Sequence, residues 1–296
     1  MKHQHNIYFT NHLVRAGQIS YMNVAPIYYG FNNRYKPRWM NLISAPPSDL
    51  NKMLENRELD VSPVSSAAYA KNQDKWLLLP NLSISCRGPV MSVILVSKYS
   101  FKELSEKTVI LTRESAAAAA LSRFLFASQK VKPYIQTGKI RSAADLNHNA
   151  DAALIIGDAA LKEEWKSEFN HVWDLGEMWK KHTGLPFVFA LWAVRKAFAQ
   201  KHPELVLSIA NQFQISKAFG KKNMSQIYQQ ASKRLGISLH KCRQYYNHLY
   251  YGLNHDQITG LEYFFQGLYQ ENIISRPVKL CFFNKMPDVF IRDHAA

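Results

Sequence analysis

The chain has 296 residues, of which 47% are hydrophobic and 20% charged, a composition that excludes disordered and fibrous classes. Its length favours two domains or lobes, and a chain of this size can bury a core without disulfides or metal ions. The 37 basic and 22 acidic residues give a formal charge of +15, which favours an anionic partner.

Other classes are disfavoured by motifs that the sequence lacks. Its three cysteines form no CxxC pair and its histidines have no zinc-binding spacing, so we expect no metal. No nucleotide-binding glycine loop, hydrolase elbow or nucleic-acid-binding motif is present, so we expect no nucleotide cofactor and no nucleic-acid partner. The first residues do not resemble a signal peptide, and no apolar run reaches the roughly 20 residues of a membrane span. The prediction is a cytoplasmic protein with no membrane partner, and no feature indicates an oligomeric state.

The first third of the chain alternates strand-like and helical segments, the pattern of an α/β protein. The predicted strands here are residues 14–21, 39–45, 59–64, 77–82 and 90–96. The predicted helices are residues 26–29, 48–58 and 65–70, with Ser48 as the N-cap of the second. The strand at 90–96 is almost wholly apolar, which is typical of a strand buried on both faces.

The same alternation continues and then becomes helical. Further strands are predicted at residues 108–111, 152–156 and 187–194, with a helix at 116–127 and another after Gly157-Asp158. The last hundred residues predict helices at 203–219, 224–235, 239–249 and 255–271. We therefore expect two α/β lobes, the first formed by residues 1–96 with 191–296, and the second inserted as residues 97–190.

Polar residues follow several of the predicted strands, at the point where each one ends. They are Asn23, Ser65, Thr112 and the pair Gly157-Asp158. Ligands of open α/β sheets bind outside the carboxyl ends of the strands, so these positions predict a ligand cleft between the lobes.

Hydroxyl groups lie beside two of the predicted helix N-termini. Ser65 and Ser66 precede one helix, and Thr112 and Ser115 precede another. Free backbone N–H groups and the positive end of the helix dipole favour a carboxylate there. Each residue alone is equally consistent with an ordinary N-cap, and only the convergence of the set favours a binding site.

Several segments, taken together and in order, resemble one enzyme family over about residues 14–283. They are ISYMNVAPIYYG (19–30), DVSPVSS (60–66), SISCRGPVMS (83–92), LTRES (111–115), LIIGDAAL (154–161), DLGE (174–177) and the most specific run, 179–192. The family is the chorismate dehydratases of the futalosine route to menaquinone. The resemblance implies a two-lobe, type 2 periplasmic-binding-protein-like fold and the dehydration of chorismate to 3-[(1-carboxyvinyl)oxy]benzoate, without a cofactor.

The resemblance also implies roles for individual residues. Asn23 and Ser92 match the two family positions that contact the substrate. Thr112, Ser115, Gly157 and Asp158 are carried over by motif position only. The chain departs from many members at Ala117 and Ala118, where a Thr-Ser pair is usual. Each hydrogen bond lost in this way would weaken binding by about 0.5–1.5 kcal/mol.

None of the candidate positions is a histidine, and Asp158, the one acidic candidate, is as well placed to cap a helix. We therefore expect the substrate's own side-chain carboxylate to act as the base, with Asn23 and Ser92 holding the enolpyruvyl group. Three alternatives stay open. They are a non-catalytic binding protein for an aromatic or carboxylate ligand, the sister 1,4-dihydroxy-6-naphthoate synthase, and a transcription-factor effector domain, which the absence of a DNA-binding module disfavours.

Overall fold

Strand pairing divides the residues that the computed structural model describes, 13–138, 140, 142–146, 150–161 and 164–284, between two β-sheets. The strands are β1 (Val14–Ile19), β2 (Met40–Ala45), β3 (Val61–Ser65), β4 (Trp76–Cys86), β5 (Val93–Ser97), β6 (Thr108–Thr112), β7 (Tyr134–Gly138), β8 (Ala152–Ile156), β9 (His171–Asp174), β10 (Phe187–Arg195) and β11 (Leu249–Tyr250). The first sheet has the order β11-β4-β10-β3-β1-β2, and the second has the order β7-β6-β8-β5-β9.

Helices cover both sheets. They are α1 (Ala25–Gly30), α2 (Pro47–Glu55), α3 (Ser66–Asn72), α4 (Ala116–Ser128), α5 (Glu164–Glu168), α6 (Leu175–Thr183), α7 (Lys196–Lys201), α8 (Pro203–Lys222), α9 (Met224–Leu235), α10 (Leu239–Asn247) and α11 (His255–Gln270). Short 3₁₀ turns include Met22–Val24 and Gly157–Leu161. Within the described part of the chain, no helix is long and apolar enough to span a membrane.

The two sheets meet end to end at the sites where the polar residues were predicted. β1 and β3 run parallel, so their carboxyl ends at Ile19 and Ser65 lie on the same edge of the first sheet. β10 runs antiparallel to β3, so the first half of β10 lies beside the carboxyl end of β3. In the second sheet, the end of β8 at Ile156 pairs with the start of β5 at Val93. The strand ends of both sheets therefore enclose one space.

The assignment of strands to the two sheets does not coincide with the predicted lobe boundaries. β5 belongs to the second sheet, although a boundary at residue 97 assigns it to the first lobe. β10 belongs wholly to the first sheet, although a boundary between 190 and 191 divides it. We propose instead that the lobes join before β5 and before β10. The segments 1–12 and 285–296 of the predicted first lobe lie outside the described residues.

The N-cap predicted at Ser48 is wrong. Helix α2 begins one residue earlier, at Pro47, with Pro46 as its N-cap residue. Proline suits the first helical position because that position has no intrahelical acceptor for an N–H group. Ser48 therefore lies inside the first turn, where its hydroxyl is 3.4 Å from the Asp49 carboxylate.

Helix α8 fixes the segment that carries Asn23. A Cβ atom at Gly220 would lie 1.9 Å from the Pro26 carbonyl oxygen, so α8 packs directly against the start of α1. Below this contact, the Tyr28 hydroxyl donates to the Gly17 carbonyl at 2.6 Å and accepts from the Trp192 indole at 3.2 Å. Buried aromatic packing thus anchors the turn after β1 to the centre of the first sheet.

Candidate active site

A cavity with about 540 Å³ of empty space, its open mouth included, lies between the cleft ends of the two sheets. Its polar lining includes Tyr21, Asn23, Ser65, Ser92 and Ser115, and Gly157 completes it on the side of the second sheet. Five of the eight residues predicted from the sequence therefore meet in one cavity: Asn23, Ser65, Ser92, Ser115 and Gly157.

Asn23 has a buried polar atom that needs a partner. Its residue is half-buried in the 3₁₀ turn Met22–Val24, but its Oδ1 is fully buried and accepts no hydrogen bond from any described residue. An unsatisfied buried amide is costly, by about 1–3 kcal/mol. Because an amide can turn by 180°, either its donor or its acceptor can meet a ligand in the cavity.

Ser92 is held by a tight loop. Its N–H donates to the Val90 carbonyl at 2.7 Å, closing a three-residue turn around Met91, whose φ of +59° is unusual for a residue with a side chain. Its carbonyl accepts from the Gly157 N–H at 2.8 Å, which ties the loop to the end of β8. The Ser92 main chain is therefore fixed in the cavity wall, next to a strained residue, Met91, and such strain is common at functional sites.

Asp174 holds this strained loop in place. Its carboxylate accepts from the Val90 N–H at 2.9 Å and the Met91 N–H at 2.6 Å. It also caps α6 by accepting from Gly176 and Glu177. One half-buried carboxylate thus joins the loop before Ser92 to the start of a helix.

The two serines at helix N-termini act as caps and also line the cavity. Ser65 accepts from the Ala68 N–H at 3.1 Å at the start of α3, and Ser115 accepts from the Ala118 N–H at 3.2 Å at the start of α4. Each accepting oxygen has a proton that it can still donate. The capping and binding interpretations are therefore compatible for these two residues.

Gly157 allows the lobes to approach closely. Its φ is +66°, and a Cβ atom there would lie 3.0 Å from the Tyr21 ring. The Tyr21 hydroxyl in turn donates to the Glu114 carboxylate at 2.9 Å. Tyr21 follows β1 of the first sheet, whereas Gly157 and Glu114 follow β8 and β6 of the second sheet. Their contact therefore closes one side of the cavity.

Three predicted residues do not line the cavity. Thr112 is buried and its hydroxyl accepts from the Glu114 N–H at 3.1 Å, which closes a local turn. The Ser66 hydroxyl is buried at the start of α3 without a described partner. Asp158 accepts from the Met22 N–H at 3.1 Å and lies 3.8 Å from Arg234, so it links the two lobes. Substrate contact by these three stays a prediction.

Electrostatically, the cavity is neutral. None of the described lining residues is Asp, Glu, His, Lys or Arg. Burial raises the pKa of Asp158, against the opposing effects of the Met22 N–H and of Arg234, but its carboxylate faces Met22. An anion in this cavity would therefore be held by hydroxyls, an amide and the N–H groups at the start of α4 rather than by a cation.

The apolar wall of the cavity was missed by the sequence analysis. It includes Ile19, Ile84, Val90, Val93, Ile156 and Phe189. Ile84 lies outside the predicted strands and the other five lie within them, and no feature of the sequence separates a side chain facing a cavity from one facing the core. Tyr21 lay inside a quoted motif, but only its contact with Gly157 reveals its place. No group of three described His, Cys, Asp or Glu side chains could hold a metal ion.

Solved structures with similar folds are periplasmic-binding-protein-like. Protein AF1704 from Archaeoglobus fulgidus aligns with a TM-score of 0.70 at 19% identity, covering 88% of this chain and 98% of that one. The aliphatic sulphonate binding protein SsuA from Escherichia coli aligns with a TM-score of 0.62 at 14% identity, covering 90% of each chain. The predicted fold is confirmed.

Sequence relatives agree with the segments quoted above. A chorismate dehydratase from Thermus thermophilus is 29% identical, covering 84% of this chain and 92% of the relative. A chorismate dehydratase from Campylobacter jejuni is also 29% identical, over 65% of this chain and 75% of the relative. The model of the family described as menaquinone biosynthesis matches residues 14–270. Because that match extends over most of the sequence, the chain belongs to the menaquinone biosynthesis family.

Proposed function

We propose that this chain is a hydro-lyase that removes water from chorismate to give 3-[(1-carboxyvinyl)oxy]benzoate. The main support for the proposal is that Asn23 and Ser92 line the same cavity between the sheets. These are the two residues expected to contact the substrate. Apolar walls beside them suit a six-membered ring, and the helix N-terminus at Ser115 suits a carboxylate. The dehydratase relatives, which align over most of their length, support the same substrate.

The dehydration does not require a strong base from the protein, because it forms an aromatic ring. It breaks the C3–H bond and the C4–O bond of chorismate, and the electron pair of C3–H becomes part of an aromatic ring as water leaves. Because no titratable acid or base is among the described lining residues other than the Tyr21 phenol, we infer that the carboxylate of the enolpyruvyl group takes the C3 proton. An intramolecular base is effective when it is held in a near-attack geometry.

In this proposal the protein acts by positioning. Asn23 and Ser92 hold the enolpyruvyl group by hydrogen bonds, and the apolar wall places the ring. Contact of Tyr21 with Glu114 and Gly157 closes one side of the cavity, and exclusion of water on that side would strengthen the hydrogen bonds inside it. The net charge of +15 favours the approach of a dianion, although no cation lines the cavity itself.

The direct test is to incubate the purified chain with chorismate, without added metal or cofactor, and to follow loss of one water by mass detection. Accumulation of the enolpyruvyl benzoate supports the proposal. Unchanged chorismate, with folding verified by circular dichroism and binding verified by calorimetry, would instead favour a binding protein, in line with the sulphonate-binding fold relative.

The choice of base is tested by Asp158→Asn. Asparagine keeps an oxygen that can accept from the Met22 N–H and removes only the ionisable group. We expect the rate to stay within about tenfold of the parent, since one weakened hydrogen bond costs about 0.5–1.5 kcal/mol. Loss of turnover with retained folding and chorismate binding would show that Asp158 is the base.

The sister naphthoate synthase is less well supported. The relative of that name from Streptomyces coelicolor is 26% identical over 50% of this chain and 52% of the relative. A resemblance to that enzyme would imply a catalytic histidine, and none of the described lining residues of the cavity is a histidine. Incubation with substrates of both reactions separates the two activities.

A further inference from the structure

We propose that Asp174 is a positioning residue that makes the loop before Ser92 move with the second sheet, so that closure of the cleft brings Ser92 to Asn23. This inference rests on the dehydration proposed above. Asp174 is the last residue of β9 and is not among the described residues that line the cavity. It therefore acts on the reaction through Ser92 and not by contact with the substrate.

The described chain crosses from one sheet to the other twice, and the two crossings lie side by side. Residues 87–92 join β4 to β5, and residues 184–186 join α6 to β10. Cys86 and Phe187, the residues next to these crossings in the first sheet, pair with each other. Hinges between lobes are a few loop residues that absorb changes in φ and ψ, so opening and closing of the cleft must bend these two segments.

The end of the first crossing is fastened to the second sheet. The Asp174 carboxylate accepts from the Val90 N–H at 2.9 Å and from the Met91 N–H at 2.6 Å, and Asp174 itself pairs with β5. The Gly157 N–H, which follows β8, donates to the Ser92 carbonyl at 2.8 Å. The three residues from Val90 to Ser92 therefore belong to the second sheet, although they precede its strand β5.

The start of the same crossing is held from the other side. The exposed guanidinium of Arg87 pairs with the carboxylate of Asp256 at the start of α11, a helix that packs against β10 of the first sheet. Between Arg87 and Val90 lie only Gly88–Pro89, and the glycine has a φ of +109°, which residues with side chains rarely adopt. The bend is therefore expected at Gly88–Pro89, and Asp174 sets its limit.

The position of this bend decides how the site is assembled. Asn23 follows β1 and is anchored to the first sheet, so Asn23 and Ser92 lie on opposite sides of Gly88–Pro89. A bend there carries Ser92 as part of the second sheet and sets its distance from Asn23. Without the bonds from Asp174, the bend could extend to Ser92 itself, and closure would no longer fix the place of its hydroxyl group.

Asp174→Ser tests this role, because it separates the holding of the loop from the capping of α6. Serine is a good N-cap, but its single, shorter-reaching oxygen cannot also accept from Val90 and Met91. We expect kcat for chorismate to fall at least about tenfold, with KM within about threefold, since a small misplacement of a positioning group can cost about 100-fold in rate. Unchanged kcat per folded molecule would overturn the proposal.

Ser238→Ala is the matched control for a lost cap. Ser238 accepts from the Lys241 N–H at 3.1 Å at the start of α10. This variant should have a lower urea midpoint and the kcat of the parent. Asp174→Ser should show the reverse, a small change in the urea midpoint and a large change in kcat.

Gly176→Ala displaces the crossing without removing the carboxylate. A Cβ atom at Gly176 would lie 2.6 Å from the Gly88 carbonyl oxygen, whereas alanine itself favours the helix. We expect kcat to fall at least about tenfold here as well. Full kcat in this variant would show that the place of the crossing does not set the rate, and would contradict the proposal even if Asp174→Ser fails to fold.

Amide hydrogen exchange gives a readout that does not depend on the substrate. In Asp174→Ser, the Val90 and Met91 amides should exchange at least about tenfold faster than in the parent, with the amides of β5 unchanged. Parent rates at Val90 and Met91 would overturn the role of Asp174. If the parent does not convert chorismate, the proposed function fails, and the exchange rates still decide whether Asp174 holds the loop.

Discussion

The two ends of the first sheet differ in how many hydrogen-bond partners their polar groups have. Asp60, at one end, is fully buried and has several partners, whereas the polar groups at the cavity end have few partners or none. Asp60 accepts from Arg15 at 3.0 Å and from Arg195 at 2.6 Å, at the amino ends of β1 and β3. At the cavity end, Asn23 Oδ1 has no described partner. Asp158 has one backbone donor and an arginine 3.8 Å away.

The pKa values of the two aspartates, Asp60 and Asp158, are also shifted in opposite directions. The two arginines and the Arg15 N–H hold the pKa of Asp60 below its usual value although burial opposes them, whereas burial raises the pKa of Asp158. A buried ion cluster whose hydrogen bonds are all made stabilises the fold, whereas polar groups without partners are available to bind a ligand. Asn211 and Tyr251 also have unsatisfied buried oxygens without lining the cavity, so it is the meeting of Asn23 with Ser92 that identifies the site.

The largest effect on function should come from Asn23→Ala. Removal of a positioned amide is expected to lower kcat/KM for chorismate about 100-fold or more. Stability should change little, because the described structure gives the Asn23 Oδ1 no partner to lose. Steady-state kinetics and urea unfolding of the same preparation check both parts. Full activity would exclude a positioning role for Asn23.

Asp60→Ala should give the opposite result. It leaves two arginine side chains without their carboxylate, which is expected to lower the free energy of unfolding by about 3 kcal/mol. The rate per folded molecule should match the parent, because Asp60 lies at the far end of the sheet. Urea unfolding measures the loss of stability. A variant that is stable but inactive would show that Asp60 contributes to function rather than to stability.

Gly157→Ala tests the close approach at the cavity. Alanine at a φ of +66° costs about 1–2 kcal/mol, and its Cβ would press on the Tyr21 ring at 3.0 Å. We expect a modest loss of stability and a higher KM as the lobes close less well. Gly236→Ala is the control, since it has a φ of +70° with open space around it, and should lose stability only.

The two aspartates should respond to pH with opposite signs. The folded-state pKa of Asp60 is lowered, so its contribution to stability is present above the unfolded value of 3.8 and is lost as pH falls through the folded one. The folded-state pKa of Asp158 is raised, so its contribution is present below 3.8 and is lost as pH rises. Each tenfold difference in proton affinity corresponds to about 1.4 kcal/mol.

Urea unfolding between pH 3 and 7 measures this difference when Asp60→Asn and Asp158→Asn are compared with the parent. The first variant should lose less stability on acidification than the parent, and the second should lose more. Parallel curves for all three proteins would contradict the assigned directions.

The smallest effect is expected from Ala117→Thr combined with Ala118→Ser, which restores the residues usual in the resembling family. Both alanines are fully buried in α4 and neither is among the described lining residues. Affinity for chorismate should change by less than about tenfold, the value of one hydrogen bond. Isothermal calorimetry checks this, and a larger gain would show that the departure at these positions limits binding.

The comparison also shows what the sequence could predict. Residues at strand ends, such as Asn23 and Ser65, were found because parallel strands bring their carboxyl ends to one edge. The wall residues were not, because burial against a cavity and burial in a core have the same hydrophobic pattern. Helix α6 and strands β7 and β9 were also missed, since they are short and partly polar.

The start of β5 was mispredicted for a related reason. The apolar run from Val90 continues into the strand, but Asp174 holds the loop before Ser92 out of the ladder. That carboxylate lies 84 residues away in the chain from Val90, and a contact of this separation leaves no local signal.

The most direct test of the account is a crystal structure of the chain with 3-[(1-carboxyvinyl)oxy]benzoate bound. We expect the enolpyruvyl group within about 2.6–3.2 Å of the Asn23 amide and the Ser92 hydroxyl, with the ring against Phe189. A ligand bound outside this cavity, or one that contacts neither Asn23 nor Ser92, would contradict it.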